Sequence, residues 1–213
     1  MNGSRPIELP VICQQRIDHL LASGHRTILG IVAPPGAGKS TLAQALLSRY
    51  GQALQVVPMD GFHLANSELE RLGRRGRKGA PDTFDAAGFV SLLARIKAQQ
   101  PGDAVVYAPE FRREIEEAVA GAIAVQPSTP LIVVEGNYLL LEDAPWPQVR
   151  GLADEIWYLD VPDAVRHARL LARHMQFGRT REAALDWIAH TDEPNAVRIA
   201  QARQHADLCV DWH

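Results

Sequence analysis

"TILGIVAPPGAGKST", residues 27–41, is the stretch that decides the fold. Residues 27–33 are apolar and β-branched without polar alternation, which marks a strand buried on both faces. Behind them come Gly36, Gly38, Lys39, Ser40 and Thr41, the G-x-x-x-x-G-K-[ST] phosphate-loop pattern with Ala33 in place of the first glycine. That replacement matters only if the position needs a positive φ. The chemistry of such a loop is carried by the main chain. Its N–H groups and the first turn of the following helix converge on an anion, and the helix dipole favours negative charge there. Pro35, Gly36, Ala37 and Gly38 form the expected cradle. Lys39 is expected to reach the β- and γ-phosphates, Ser40 to ligate Mg²⁺, and Thr41 to donate on the α-phosphate side. ATP and Mg²⁺ are therefore the expected cofactors.

Outward from the loop, residues 39–50 predict a helix, and "LQVVPMD" predicts a second strand ending at Asp60. A long polar loop holding "RLGRRGRKGAPD" follows, then a helix over 86–99. "AVVYAPEF", "AIAVQ", "LIVVEG", "EIWYLD" and "ADLCV" read as strands, with helices over 163–176 and about 181–205. Upstream, Cys13, Ile17, Leu20 and Leu21 share one helical face, closed by Ser23 and Gly24. Strands that alternate with helices and are apolar throughout predict a parallel sheet covered on both sides, an α/β fold. Ligands gather beyond the carboxyl ends of such strands. The glycine loop, Asp60, Glu135 and Asp160 all fall there.

A phosphate loop serves several activities. A GTPase needs NKxD for guanine, and a transporter ATPase needs an LSGGQ-like stretch; neither occurs in the sequence. "DAAG" at 85–88 imitates the GTPase DxxG but opens a helix. Phosphoryl transfer to a small alcohol instead asks for a carboxylate near the acceptor, an acid near the metal and mobile arginines. Asp60 is the candidate general base, and Glu135 the second-shell Mg²⁺ partner. Arg166, Arg169 and Arg173 lie within about 60° of arc on one helix, with Arg179 and Arg181 beyond Gly178. They form the candidate lid over the triphosphate.

The formal net charge of -3 argues against a dedicated nucleic-acid binder. No apolar run approaches the ~18 residues of a membrane span. "MNGSRPIELP" lacks the pattern of a signal peptide. The two cysteines, Cys13 and Cys209, form no CxxC or zinc spacing, and reduced thiols in a cytoplasmic protein are the simplest reading. With 46% hydrophobic residues over 213 positions, one domain spanning the chain is expected, with a helical extension of 25–26 residues at its start and a lid over about 166–190. A homodimer is left open.

Taken together, "GAGKST", "MDGFH", "APDTFD", "VVEGNYLL" and "DVPDAVRHARLLAR" resemble the uridine kinase / phosphoribulokinase / pantothenate kinase group of P-loop kinases over residues 27–211. "DEPNA" adds likeness to a bacterial subgroup described as nucleoside/nucleotide kinase-like or fructose-transport-system kinase. The resemblance implies a three-layer α/β/α fold with a five-stranded parallel core sheet and an arginine-bearing lid. It implies Asp60 as the catalytic aspartate, Glu135 as the Mg²⁺-side acid, Asp82 as a binder of acceptor hydroxyls, and Arg169 and Arg173 as lid arginines. His63 stands where uridine kinases carry a tyrosine, and "APEFRREIEE" stands where they place a tyrosine and a histidine on the pyrimidine; Phe111 keeps an aromatic. A sugar or another polyol therefore stands beside uridine as acceptor. His63 either hydrogen-bonds that acceptor or packs beside Phe62, and Arg112 and Arg113 either meet an anionic acceptor or are solvated. Asp192 is expected to cap a helix with Pro194 in its first turn. The basic loop 71–78 is expected to be solvated, apart from Lys78, which faces the site. The expected activity is an ATP-dependent kinase acting on a small hydroxylated metabolite. The rival is a regulatory NTPase that switches a protein partner.

Overall fold

The computed structural model describes residues 8–212; residues 1–7, part of the stretch read as lacking a signal peptide, lie outside the described residues, as does His213. Five parallel strands form one sheet: β1 (Thr27–Val32), β2 (Leu54–Pro58), β5 (Leu131–Gly136), β6 (Glu155–Asp160) and β7 (Leu208–Asp211), in the order β2-β5-β1-β6-β7. β3 (Val106–Arg112) and β4 (Glu117–Val125) form a separate antiparallel hairpin. The parallel core and its five strands are as expected.

Side-chain alternation divides the core between the two faces of the sheet. Leu29 and Ile31 of β1 pack with Val133, Trp157 and Val210 against α1 (Val11–Ala22) and α2 (Lys39–Tyr50), whose Cys13, Ile17, Leu42 and Leu46 are buried. Ile28 and Val32 point the other way, with Val57, Val134 and Ile156, onto α4 (Ala86–Ala98), α5 (Pro147–Leu152) and α8 (Glu193–Gln201). Every residue of β1 and β5 is buried, which accounts for their unbroken apolar reading. Asp85 caps α4, its side chain accepting from the Gly88 N–H, so "DAAG" is a helix start.

Four elements differ from the sequence reading. β2 ends at Pro58, and residues 59–62 form a 3₁₀ turn, so Asp60 sits in the turn beyond the strand. β4 is nine residues long and pairs antiparallel with β3, where only a short strand over 122–126 was expected. The polar loop contains α3 (Asn66–Arg71), too short to show a clear period. The helix expected over 181–205 is interrupted. α7 (Arg181–Trp187) runs into a π-helical turn over Ile188–Asp192 before α8 begins. Pro194 has no N–H to return to the carbonyl four residues earlier, so the regular ladder cannot run through this point.

Register brings the strand ends together. Ile31 pairs with Glu135 and Val32 with Gly136, and Pro58 pairs with Glu135 from the other side. Glu135 therefore stands between the mouth of the glycine loop and the Asp60 turn. The hairpin closes over that turn: a Cβ on Gly61 would lie 2.3 Å from the Pro109 carbonyl oxygen, so only glycine fits there. α6 (Asp163–Gln176) leaves β6 and crosses the glycine loop. Among the described residues no helix is long and apolar enough to cross a membrane.

Candidate active site

The glycine loop, the Asp60 turn, the hairpin, α6 and the π turn enclose a cavity of about 850 Å³. At its base, Gly36 (φ 80) and Gly38 (φ 92) hold the backbone in the left-handed region. A Cβ on Gly36 would lie 2.7 Å from the Arg166 carbonyl oxygen, and one on Gly38 3.0 Å from Trp212 Nε1. Ala33 is fully buried and does not have a positive φ, so the missing first glycine does not disturb the loop. Pro35, Gly36, Gly38, Lys39, Ser40 and Thr41 line the cavity. Ala37 does not; it is fully buried, and its carbonyl accepts from Arg169 at 3.2 Å.

Lys39 Nζ donates to the Ala33 carbonyl at 2.9 Å and to Asn137 Oδ1 at 2.5 Å. Burial pulls its pKa down to about 8, only partly offset by Glu135 and Asp60. Ser40 Oγ donates to Glu135 Oε1 at 2.9 Å. Burial raises the Glu135 pKa, and Asp60 raises it further by like-charge repulsion. A buried acid whose hydrogen bond comes from a neutral hydroxyl suits a cation brought in with phosphates. Among the described residues no group of three or more His, Cys, Asp or Glu side chains could hold a metal by itself. The residues thus fit a divalent ion shared between Ser40, Glu135 and phosphate oxygens.

Asp60 lines the same cavity, its Oδ2 3.7 Å from the Arg113 guanidinium. The His63 ring lies between Phe84 (4.0 Å) and Phe111 (4.6 Å). Its Nδ1 is 2.8 Å from the Asp60 main-chain oxygen. A carbonyl only accepts, so Nδ1 carries the proton and Nε2 presents a lone pair. Burial lowers the His63 pKa, which favours this neutral form.

Arg169 and Arg173 reach the cavity from α6. Arg173 has no ion-pair partner among the described residues. Burial and the repulsion of Arg113 lower its pKa. Arg173 therefore offers a partly buried guanidinium without an ion pair to an anion in the cavity. Arg166 differs from its helix mates. Only 2% exposed, it donates to the Pro35 carbonyl (3.1 Å), Asp163 (2.6 Å) and Glu193 (3.1 Å). It therefore ties α6 to the loop and to α8, and does not face the cavity as a lid arginine would. Arg179 lines the cavity and stacks on Trp187 at 3.9 Å, whereas Arg181 does not reach it.

Asp82 does not line the cavity. Its carboxylate pairs with Arg77 at 2.7 Å and Arg74 at 3.4 Å, so the expected contact with acceptor hydroxyls is not made from this position. Asp192 corrects another expectation, because its side chain caps no helix. It is buried, lines the cavity and meets His174 Nε2 at 2.8 Å, with Asn195 beside it on the wall. Asn137 was also missed as a Lys39 partner. Its signal was its place directly after "VVEG", at the end of the buried strand.

Comparison with known proteins agrees with this geometry. Residues 28–212 match the Phosphoribulokinase / Uridine kinase family. The chain is 36% identical to the uncharacterized protein YggC of Escherichia coli (strain K12) over 87% of its own length and 78% of that protein. It is 37% identical to a protein of Schizosaccharomyces pombe provisionally named uridine kinase C227.14, over 92% of its own length and 87% of that protein. The crystal structure of a protein from Silicibacter sp. TM1040, provisionally named a fructose transport system kinase, superposes with a TM-score of 0.84 at 38% identity, covering 96% of this chain and 99% of that one. The chain belongs to the phosphoribulokinase / uridine kinase family of P-loop kinases.

Proposed function

We propose that the protein is an ATP-dependent kinase that transfers the γ-phosphate to a hydroxyl of a small metabolite, a sugar such as fructose or a nucleoside-like compound. The observation that carries this reading is the placing of Asp60 and Lys39 in one cavity, with Glu135 between the two segments that bear them. In this scheme the amides of residues 36–41 and Lys39 hold the triphosphate, and Arg169 and Arg173 close on it from α6. Ser40 and Glu135 would hold Mg²⁺, which would supply charge neutralisation for the transferring phosphoryl group. Asp60 accepts the proton of the attacking hydroxyl, while His63, Phe111 and Arg113 position the acceptor. α6 and α7 form the lid, about residues 166–190, of a single domain.

Little covalent chemistry is needed; the gain comes from alignment and charge. Asp60→Asn is expected to lower kcat by about two or more powers of ten while an ATP analogue still binds, as for a lost general base. Turnover close to wild type would remove Asp60 from the role. ADP release measured with sugars, nucleosides and simple alcohols separates a kinase from a regulatory NTPase. Stimulation by a metabolite supports the kinase, and stimulation only by a protein partner supports the switch.

A further inference from the structure

The acceptor side of the cavity carries more positive charge than a neutral alcohol requires. Lys78 Nζ donates to Asn66 Oδ1 at 2.7 Å and to the Glu116 main-chain carbonyl, both uncharged, and lies 5.0 Å from the Phe111 ring centre. The Arg113 guanidinium comes no nearer to a carboxylate than 3.7 Å from Asp60, too long for a hydrogen bond. Arg75, at the mouth, has only Glu70 at 3.9 Å. Of the acids on this wall, Asp60 faces the transfer site, and Glu116 forms no ion pair among the described residues. Arg113 also repels Arg173. The triphosphate would answer Lys39, Arg169 and Arg173 beside the glycine loop. It would leave Arg113 and Lys78, on the hairpin and the basic loop, without a hydrogen-bonded anion, the carboxylates of Asp60, Glu116 and Glu117 lying only near them.

The aromatic groups point the same way. The His63 ring packs against Phe84 and Phe111, at 4.0 and 4.6 Å and tilted by 43° to each. Phe111 in turn lies between His63 and the Lys78 ammonium, and Phe84 meets the edge of Tyr138. These rings are engaged with one another. The polar groups left over are an accepting Nε2 on His63 and the Asp60 carboxylate, which suit neighbouring hydroxyls.

We propose that the acceptor is a polyol bearing an anionic group, a phosphate or a carboxylate, which Arg113 and Lys78 hold while Asp60 and His63 address its hydroxyls. This rests on the kinase reading above and narrows its substrate class.

Two measurements test it. With the glycine loop filled by Mg²⁺ and a non-hydrolysable ATP analogue, inorganic phosphate is titrated into the protein. Saturable binding is expected in the wild type and about tenfold or weaker binding in Arg113→Met and in Lys78→Met, the loss expected for one charge-assisted contact; both variants still bind the analogue. Absence of phosphate binding, or binding that both variants retain in full, overturns the anion grip. ADP release is then compared across sugar phosphates, sugar acids, neutral sugars and nucleosides. Preference for a sugar phosphate or a sugar acid supports the proposal and tells the two sources apart. Preference for a neutral sugar or a nucleoside overturns it and leaves the kinase standing. Silence across the whole panel counts against the kinase, and the phosphate titration then decides the anion grip alone.

Discussion

The two walls of the cavity are built on different principles. The nucleotide wall is one continuous segment, residues 33–41, whose business is done by main-chain amides and two glycines at positive φ. Its lysine already has partners, Lys39 donating to Ala33 and Asn137, while Arg166 of α6 braces the loop through Pro35. The acceptor wall is assembled from the Asp60 turn, the basic loop, the hairpin and the π turn, and its work falls to side chains. Two of its cations, Arg113 and Lys78, make no hydrogen bond to a carboxylate. A wall made of backbone binds whatever carries a polyphosphate, whereas a wall made of side chains selects one metabolite among many.

Removing the lysine breaks the nucleotide wall most severely. Lys39→Ala is expected to lower kcat/KM for ATP by about a thousandfold, since it takes a buried cation from the transferring phosphoryl group. Steady-state ADP release measures this, and unchanged turnover and ATP affinity would contradict the assignment.

A smaller effect concerns protons. With its pKa near 8 in the empty protein, Lys39 is charged below that pH and loses its proton above it. Because the folded value lies below the ordinary 10.5, the stability present above pH 10.5 is lost as pH drops from there to about 8, below which the full cost of burying the ammonium is in place. A bound triphosphate favours the charged form and raises the pKa again. Binding of an ATP analogue at pH 9 is therefore expected to take up close to one proton, and at pH 6.5 almost none from this group. Calorimetry in buffers of different ionisation enthalpy reads the difference, and Lys39→Met should abolish it.

The smallest effect sharpens the acceptor wall. Asp82 sits with Arg74 and Arg77 outside the cavity. Asp82→Asn is expected to change the acceptor KM by less than about threefold, as for exposed ion pairs in general. A tenfold rise would restore the role that resemblance gave it.

The same contrast explains what was legible in the sequence. The loop could be read because its function depends on glycine spacing and on its place between strand and helix. Glu135 could be read because a buried parallel strand has an unbroken apolar pattern that ends visibly, and Asp60 because it closes the shorter run "VVPM". Arg166 could not be told from Arg169 and Arg173. All three share one arc of α6, and only the packing of α8 and Pro35 against the first buries it. Asp192 looked like a cap because it precedes Glu193 and Pro194, but the π turn rotates its carboxylate toward His174 and the cavity. The pairing of Asp82 with Arg74 and Arg77 depends on how the basic loop folds back, which no periodicity records.

The central claim is that the glycine loop grips a triphosphate while Asp60 faces the incoming alcohol across the same cavity. A crystal structure with Mg²⁺ and a non-hydrolysable ATP analogue tests it most directly. The account predicts the β- and γ-phosphates on the amides of residues 36–41 and on Lys39, with the γ-phosphate turned toward the Asp60 carboxylate across a gap that fits a hydroxyl. A nucleotide bound elsewhere, or an Asp60 side chain turned out of the cavity, would contradict it.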